Sequence, residues 1–365
     1  MKRSVTLTHR KLFAGLLGEN GLDCAIVLEP SRGNLGAWFM GEDAFHEGPG
    51  KGRFIPVPEP FDRNNVYIVP AEGEIKKYSQ CEPHPTDAFL FPVLDGEELK
   101  QICPSGRIGI INKYALDASL RDSIAQVCPG LELTDIGAGF DRIRALKSKE
   151  ETEEVRESAA YAERILTFLP LALRSGVSER QAVCDIRYAF YQSGAHAEDM
   201  SQQIRISLTS LPQGAENAAG SYTWPGKILN EGDRINVSVT GFAPNGYAFA
   251  LGRCFTLGKA SDETLKAWDS AVKAQEAAAA LIRPGKTIRQ IQKACGKDDE
   301  DWICGIGLSR SEDIKDIPLE EGMTVAAGPA VKTGETDPYR CLDVYAVTAD
   351  GCERLGNSSA KLVEL

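Results

Sequence analysis

Residues Gly232 to Phe255 read GDRINVSVTGFAPNGYAFALGRCF, and this stretch decides the fold. Ile235, Val237 and Val239 alternate with Asn236, Ser238 and Thr240; Pro244, Asn245 and Gly246 then supply a turn, and a second alternating run starts at Tyr247. Alternation on both sides of a turn-forming tripeptide predicts a β-hairpin. Strand side chains change face at every residue, so Val237, Val239, Tyr247, Phe249 and Phe255 share one face and suit a core. The opposite face carries Asn236, Ser238 and Thr240 on one strand and Ala248, Ala250, Gly252 and Cys254 on the other. So small and polar a lining has two readings: a helix packs closely against it, or it floors a ligand pocket.

The chain has 365 residues, long enough for two domains. Its net charge of -11 argues against a general nucleic-acid or anionic-membrane role and favours solubility. No run approaches the roughly 18 apolar residues of a membrane span. The start, MKRSVTLTHRKLFAGLL, reads as an amphipathic first helix of a cytoplasmic protein. The ten cysteines are scattered without a CxxC pair, which suits reduced thiols in a reducing compartment.

The first 138 residues alternate helical and strand patterns, an α/β arrangement. An opening helix is followed by short apolar strands at Cys24 to Leu28 and Val66 to Val69, a helix near Gly96 to Cys103, a strand Arg107 to Ile111, a helix near Ser119 to Val127, and LELTDI. Glu47 to Arg63 holds four prolines and three glycines and reads as a long loop. His9, His46 and His84 are read as surface or structural histidines; His196 lies in the other half. Residues 139–365 form the second domain, opening with one long charged helix, FDRIRALKSKEETEEVRESAAYAERILTFLPLAL. This domain repeats itself: RSGVSERQ at Arg174 is echoed by RPGKTIRQ at Arg283. In each copy a helix ends at glycine and the next opens with a capping box, Ser178 with Gln181 and Thr287 with Gln290. Two related halves of paired helices and antiparallel strands leave a cleft between them, a favoured ligand site.

With these motifs in place the sequence resembles the creatinase, aminopeptidase P and prolidase family. The resemblance rests on RALKSKEE, the LxxGD hairpin, the IRPG turn, GIGL at Gly305 to Leu308, the LxxGM run ending at Met323, and VTxxG at Val347 to Gly351. It implies an α/β (α+β) fold, with a small amino-terminal domain followed by a duplicated "pita-bread" domain. Peptidases of this family hold two divalent cations through two aspartates, a histidine and two glutamates. Transferred to this chain, those five positions fall on Ser238, Ala250, Cys304, Gly328 and Leu342. One hydroxyl and one thiol are a poor set for hard divalent ions, so the expectation is no metal and no cofactor.

Creatinase shows that this fold hydrolyses a C–N bond without metal, using a histidine and glutamates that this chain lacks at the matching positions. Four groups remain as candidate chemistry. Cys304 is a candidate nucleophile, Glu312 a candidate general acid or base, Ser238 stands at one of the five positions, and Asp343 follows another, Leu342. Arg340 shares the parity of Leu342 and is expected to face the cleft, where a guanidinium clamps a carboxylate. Ala250 and Cys254 complete the small floor, Tyr222 or Trp224 could cover it, and Arg253 is expected in a structural ion pair. Phe61-Asp62-Arg63 looks like the Phe-x-Arg of creatinase whose arginine reaches the neighbouring subunit's pocket, which implies a homodimer. Three functions stay open: a metal-free relative that binds a small carboxylate-bearing amine, amino acid or peptide-like ligand, with or without metal-independent cleavage of its C–N bond; a non-catalytic binding protein; and a conventional metallopeptidase.

Overall fold

The structure, a computed structural model, describes residues 3–29, 38–39, 65–79, 96–116, 118–127, 132–193, 204–212, 227–296, 302–332 and 338–365. It divides into two compact units, Met1–Arg144 and Ala145–Leu365. Among the described residues no helix is long and apolar enough to cross a membrane.

In the first unit α1 (Arg3–Glu19), β1 (Cys24–Glu29), β2 (Asn65–Pro70), β3 (Lys76–Ser79), α2 (Gly96–Ile102), β4 (Arg107–Ile111), α3 (Ala118–Val127), β5 (Glu132–Asp135) and α4 (Gly137–Ala145) follow in order. The sheet runs β3-β2-β1-β4-β5. β1 is its centre, antiparallel to β2, parallel to β4 and buried at all six positions, as expected for a strand covered on both faces. One apolar cluster joins Cys24, Ile26, Leu28, Ile68, Ile108 and Ile110 to Leu99 and Ile124 of the helices. Phe13, Trp38, Phe39 and Phe140 form an aromatic cluster of edge and stacked contacts. His9 is structural: buried, stacked on Trp38 at 4.4 Å, with Nδ1 3.0 Å from the Trp38 carbonyl. The strand β3 is absent from the sequence reading, because KKYS carries too few apolar residues to stand out.

The second unit comprises α5 (Lys149–Leu166), α6 (Leu169–Ala172), α7 (Glu179–Gln192), β6 (Ile204–Pro212), β7 (Asp233–Phe242), β8 (Ala248–Thr256), α8 (Asp262–Ala279), α9 (Ile288–Ala294), β9 (Ile303–Gly305), β10 (Thr324–Ala327), β11 (Asp343–Val347), β12 (Cys352–Arg354) and β13 (Val363–Glu364). Two four-stranded sheets, β13-β8-β7-β6 and β12-β11-β10-β9, stand for the two halves of the duplication. The predicted hairpin is β7 and β8, with Gly246 at φ 83° in the turn and the Asn245 side chain accepting from the Tyr247 amide at 3.1 Å. Its large-residue face, Ile235, Val237, Val239, Phe249, Leu251 and Phe255, enters a core with Tyr161, Ile186 and Phe190 of the helices.

The single long helix expected from Phe140 onward is instead broken into α4, α5 and α6. At the first break Leu146 bridges Met323, and the Lys147 amide donates to the Gly322 carbonyl at 3.2 Å. Ser148 restarts the helix with a full capping box: its Oγ accepts from the Glu151 amide at 3.2 Å and its own amide donates to Glu151 at 2.9 Å. Of the two boxes read from the repeat, Thr287 and Gln290 make theirs in full. Ser178 caps its helix, but Gln181 turns forward to Asp185 at 2.6 Å rather than back.

Gly322 has φ 91°, and a Cβ there would stand 2.8 Å from the Lys147 carbonyl oxygen. Strain and collision together predict that Gly322→Ala loses about 1–3 kcal/mol in denaturant unfolding. Gly351→Ala, with nothing within 4 Å of its Cβ position, is the neutral control. Equal midpoints for the two variants would show that the break is not held at Gly322.

Candidate functional site

Strand pairing assembles the small and polar face of the hairpin into a larger surface. β6 lies antiparallel to β7, with Arg205 opposite Thr240, Ser207 opposite Ser238, Thr209 opposite Asn236 and Leu211 opposite Arg234. On the other side Thr240 faces Ala250, Ser238 faces Gly252 and Asn236 faces Cys254. Directly opposite residues point to the same side of a sheet. Arg205, Ser207, Thr209, Asn236, Ser238, Thr240, Ala250, Gly252 and Cys254 therefore share one face, while Ile206, Leu208, Val237 and Val239 fill the core behind it. Arg205 and Ser207 are exposed, the β7 side chains Asn236, Ser238 and Thr240 are half-buried, and β8 is buried throughout. The face is open toward β6 and closed toward β8.

Both readings of the lining hold, on different parts of it. At Cys254 a helix does pack: Ala267, Trp268 and Ala271 of α8 join Cys254, Tyr339 and Cys341 in one buried cluster. At Gly252 the partner is backbone. Gly252 and Leu342 exchange both amide–carbonyl bonds, at 2.9 and 3.3 Å. A Cβ on Gly252 would stand 2.9 Å from the Arg340 carbonyl oxygen, 2.9 Å from Leu342 Cβ and 3.2 Å from Ser238 Oγ. Leu342 is equally close to Gly328, whose Cβ would meet Leu342 Cβ at 2.9 Å. The leucine side chain is thus seated between two glycines.

Three of the five positions that the resemblance assigns to metal ligands, Ser238, Gly328 and Leu342, converge around Gly252. Ala250 lies on the same face, and Cys304 sits on β9 paired with Ala326 of β10, half-exposed. A glutamate at position 328 would have to enter the space that Leu342 fills. The donors present are one hydroxyl and one thiol, so these residues do not fit a pair of hard divalent cations. Among the described residues no group of three or more His, Cys, Asp or Glu is arranged to hold a metal ion.

The candidate acids are held in ion pairs. Glu312 is 2% exposed and bonded to Lys147 Nζ at 2.5 Å. Gly307 makes room for this pair, since a Cβ there would lie 2.6 Å from Lys147 Cε and 2.7 Å from Glu312 Oε1. Asp343 accepts from Arg253 at 2.8 Å, Arg354 at 2.9 Å and Gln275 at 2.9 Å, so Arg253 does form the structural pair expected of it. Cys304 Sγ approaches the Arg310 carbonyl at 3.8 Å. Arg340 is half-exposed between buried Tyr339 and Cys341. Phe61, Arg63, Tyr222, Trp224, His46, His84 and His196 lie outside the described residues.

Several residues of the surface escaped the sequence reading. Arg205, Ser207 and Thr209 carry the alternation IRISLTS, a signal present in the chain but meaningful only once β6 is paired with β7. Arg234, on the same face, is buried with its guanidinium 4.4 Å over the Tyr339 ring. Arg310 lies 5.6 Å over Phe242, which continues the face beyond Thr240.

Burial pushes the thiols of Cys254 and Cys341 up to about 12 each, while Cys184 is exposed. A thiol needs its thiolate to react. Native protein treated with iodoacetamide at pH 8 should therefore be alkylated at Cys184 and spared at Cys254 and Cys341 until it is unfolded, as read by peptide mass mapping. Rapid labelling of Cys254 in the native state would contradict the packing of α8 on this face.

Comparison with known proteins follows the same lines. The profile of metallopeptidase family M24 matches residues 153–349. The "Probable dipeptidase PepE" of Mycobacterium tuberculosis is 26% identical over 345 residues, covering 84% of this chain and 86% of its own length. The creatinase of a Bacillus species is 26% identical over 280 residues, covering 69% of this chain and 66% of its own. In structure, the dipeptidase PepE of Mycobacterium ulcerans superposes with a TM-score of 0.74 at 18% identity, covering 100% of this chain and 99% of that one.

Proposed function

We propose that this chain, which belongs to metallopeptidase family M24, is a metal-free relative that binds a small carboxylate-bearing amine, amino acid or peptide-like ligand in the cleft where the family's cations would sit. The observation that carries the reading is Leu342 packed between Gly252 and Gly328. Where a metallopeptidase needs carboxylates around its cations, this chain supplies apolar contact and closely set backbone. With the acidic and imidazole ligands gone, the cleft changes from cation-binding to anion-accepting, and Arg340 is the group to read a carboxylate. The fold, the free thiols and the absence of a spanning helix among the described residues support a protein of the cytoplasm.

Binding without turnover is the second reading, and one observation favours it. Glu312 and Asp343, the two candidate acids, are both engaged in buried ion pairs that hold the fold together. Metal-independent cleavage of a C–N bond would rest on Cys304, and Cys304→Ser abolishing a measured cleavage would establish it.

The test is elemental analysis combined with ligand titration. Protein purified without added metal should carry less than stoichiometric divalent metal and no Xaa-Pro peptidase activity with manganese or cobalt. In thermal-shift titration of amino acids, guanidino acids and their amides, the acids should stabilise the protein more than the amides. Arg340→Ala should weaken acid binding by about tenfold or more, the worth of a charge-assisted bond. One bound metal per chain, or equal binding of acids and amides, contradicts the proposal.

We also propose a homodimer, with the Phe61 to Arg63 loop of one subunit reaching toward the other's cleft. Light scattering should report twice the chain mass at micromolar concentration; a monomer removes both the dimer and the shared cleft.

A further inference from the structure

Of the six strands that end a sheet among the described residues, five are short: β3 and β5 have four residues each, β9 and β12 three, and β13 two. β6 is the sixth, and it has nine. An edge strand turns a row of N–H and C=O groups away from its sheet. Natural proteins keep such rows short or plugged, because they template pairing with another chain.

The row on β6 can be assigned residue by residue. Ser210 donates its amide to Glu179 Oε1 at 2.9 Å and its hydroxyl to the same oxygen at 2.7 Å, so its backbone faces away from β7. Backbone groups of an antiparallel strand alternate in direction. Ile206 and Leu208 therefore face outward with Ser210, while Arg205, Ser207 and Thr209 bond β7. Pro212, which has no N–H to give, falls in the outward set, where an edge strand tolerates proline. Glu179 and Pro212 thus close one end of the row. At the other end, among the described residues, the outward N–H and C=O groups of Ile206 and Leu208 meet no partner.

We infer that the outer edge of β6 is a docking site for an extended segment of another polypeptide, added as an antiparallel strand that exchanges backbone bonds with Ile206 and Leu208. Charge decides what it prefers. Arg205 is exposed, and among the described residues it makes no ion pair. Its position falls between the hydrogen-bonded ones, where opposed side chains come closest, so the residue opposite it is acidic. The residues on either side of that acid lie on the face of Ile206, which packs against the core, and are apolar. The edge reads backbone rather than an end group, so the occupant is an internal stretch of chain. The site is separate from the carboxylate-binding cleft proposed above and stands without it.

The probe is a terminally blocked heptapeptide that alternates valine and threonine, with glutamate in place of the central threonine. Blocked ends deny the cleft the terminal carboxylate it reads. Comparison peptides carry glutamine or lysine in place of the glutamate, or N-methyl groups on the two valines beside it. Amide hydrogen exchange, read residue by residue, should be fast at Ile206 and Leu208 in the protein alone and slow at Ser207 and Thr209. Peptide at ten times its dissociation constant should slow Ile206 and Leu208 about tenfold and leave Ser207 and Thr209 unchanged. By fluorescence anisotropy the glutamate peptide should bind about two- to fivefold more tightly than the glutamine peptide, and the N-methylated one should not bind. Arg205→Glu, a change at an exposed position, should reverse the order of the glutamate and lysine peptides. Unchanged exchange at Ile206 and Leu208, or equal binding of the N-methylated peptide, overturns the inference. Protection of the two amides that rises with protein concentration in the absence of peptide assigns the edge to a second copy of the chain and overturns it as well.

Discussion

The second unit depends on the exchange of two hydrogen bonds between Gly252 and Leu342. Each four-stranded sheet belongs to one half of a duplication, and this bridge is where β8 of one meets the start of β11 of the other. The approach is possible because position 252 has no side chain: the nearest backbone oxygen lies 2.9 Å from where a Cβ would be. One residue further on, the joint is fastened by charge. Arg253 from β8 and Arg354 from β12 both bond Asp343, with all of Arg253 and Asp343 out of water. Removing one partner of so buried a pair costs about 3–5 kcal/mol, which ties Asp343 to the frame.

The same close approach decides the chemistry of this face. Seating Leu342 against both Gly252 and Gly328 fills the centre of the region with hydrocarbon. What stays open is the β6 side of the sheet, where side chains are hydroxyls, an amide and guanidiniums. Catalysis by a metal would need acids in the closed part. Recognition of an acidic ligand needs only the neutral and cationic groups of the open part.

Much of this was legible in the sequence, for physical reasons. A period of two sorts Val237 and Val239 from Ser238 and Thr240 wherever a strand is half-buried, so the hairpin and the contents of both faces could be read directly. What periodicity does not carry is the partner. Glu312 and Lys147 are 165 positions apart, and Arg253 and Asp343 are 90 apart, so their commitment to ion pairs is invisible to local pattern. The helix break at Leu146 to Ser148 was hidden for the same reason: helical spacing continues through it, and Met323 and Glu312 pull it open from a distance. Gly252 reads as a small residue on a pocket floor, and only the crossing of Leu342 shows it to be a contact point. Arg205 lay in a segment whose alternation is ordinary until its register with β7 is known.

The account stands on the claim that hydrocarbon has taken the place of the cation site. Anomalous diffraction from crystals of this protein soaked in manganese tests it directly, because the scattering locates the ion atom by atom and needs no substrate. The prediction is an absence of manganese density within coordination distance of Ser238, Ala250, Cys304, Gly328 and Leu342. An ordered manganese peak among those residues, with Leu342 displaced to admit it, would contradict the account.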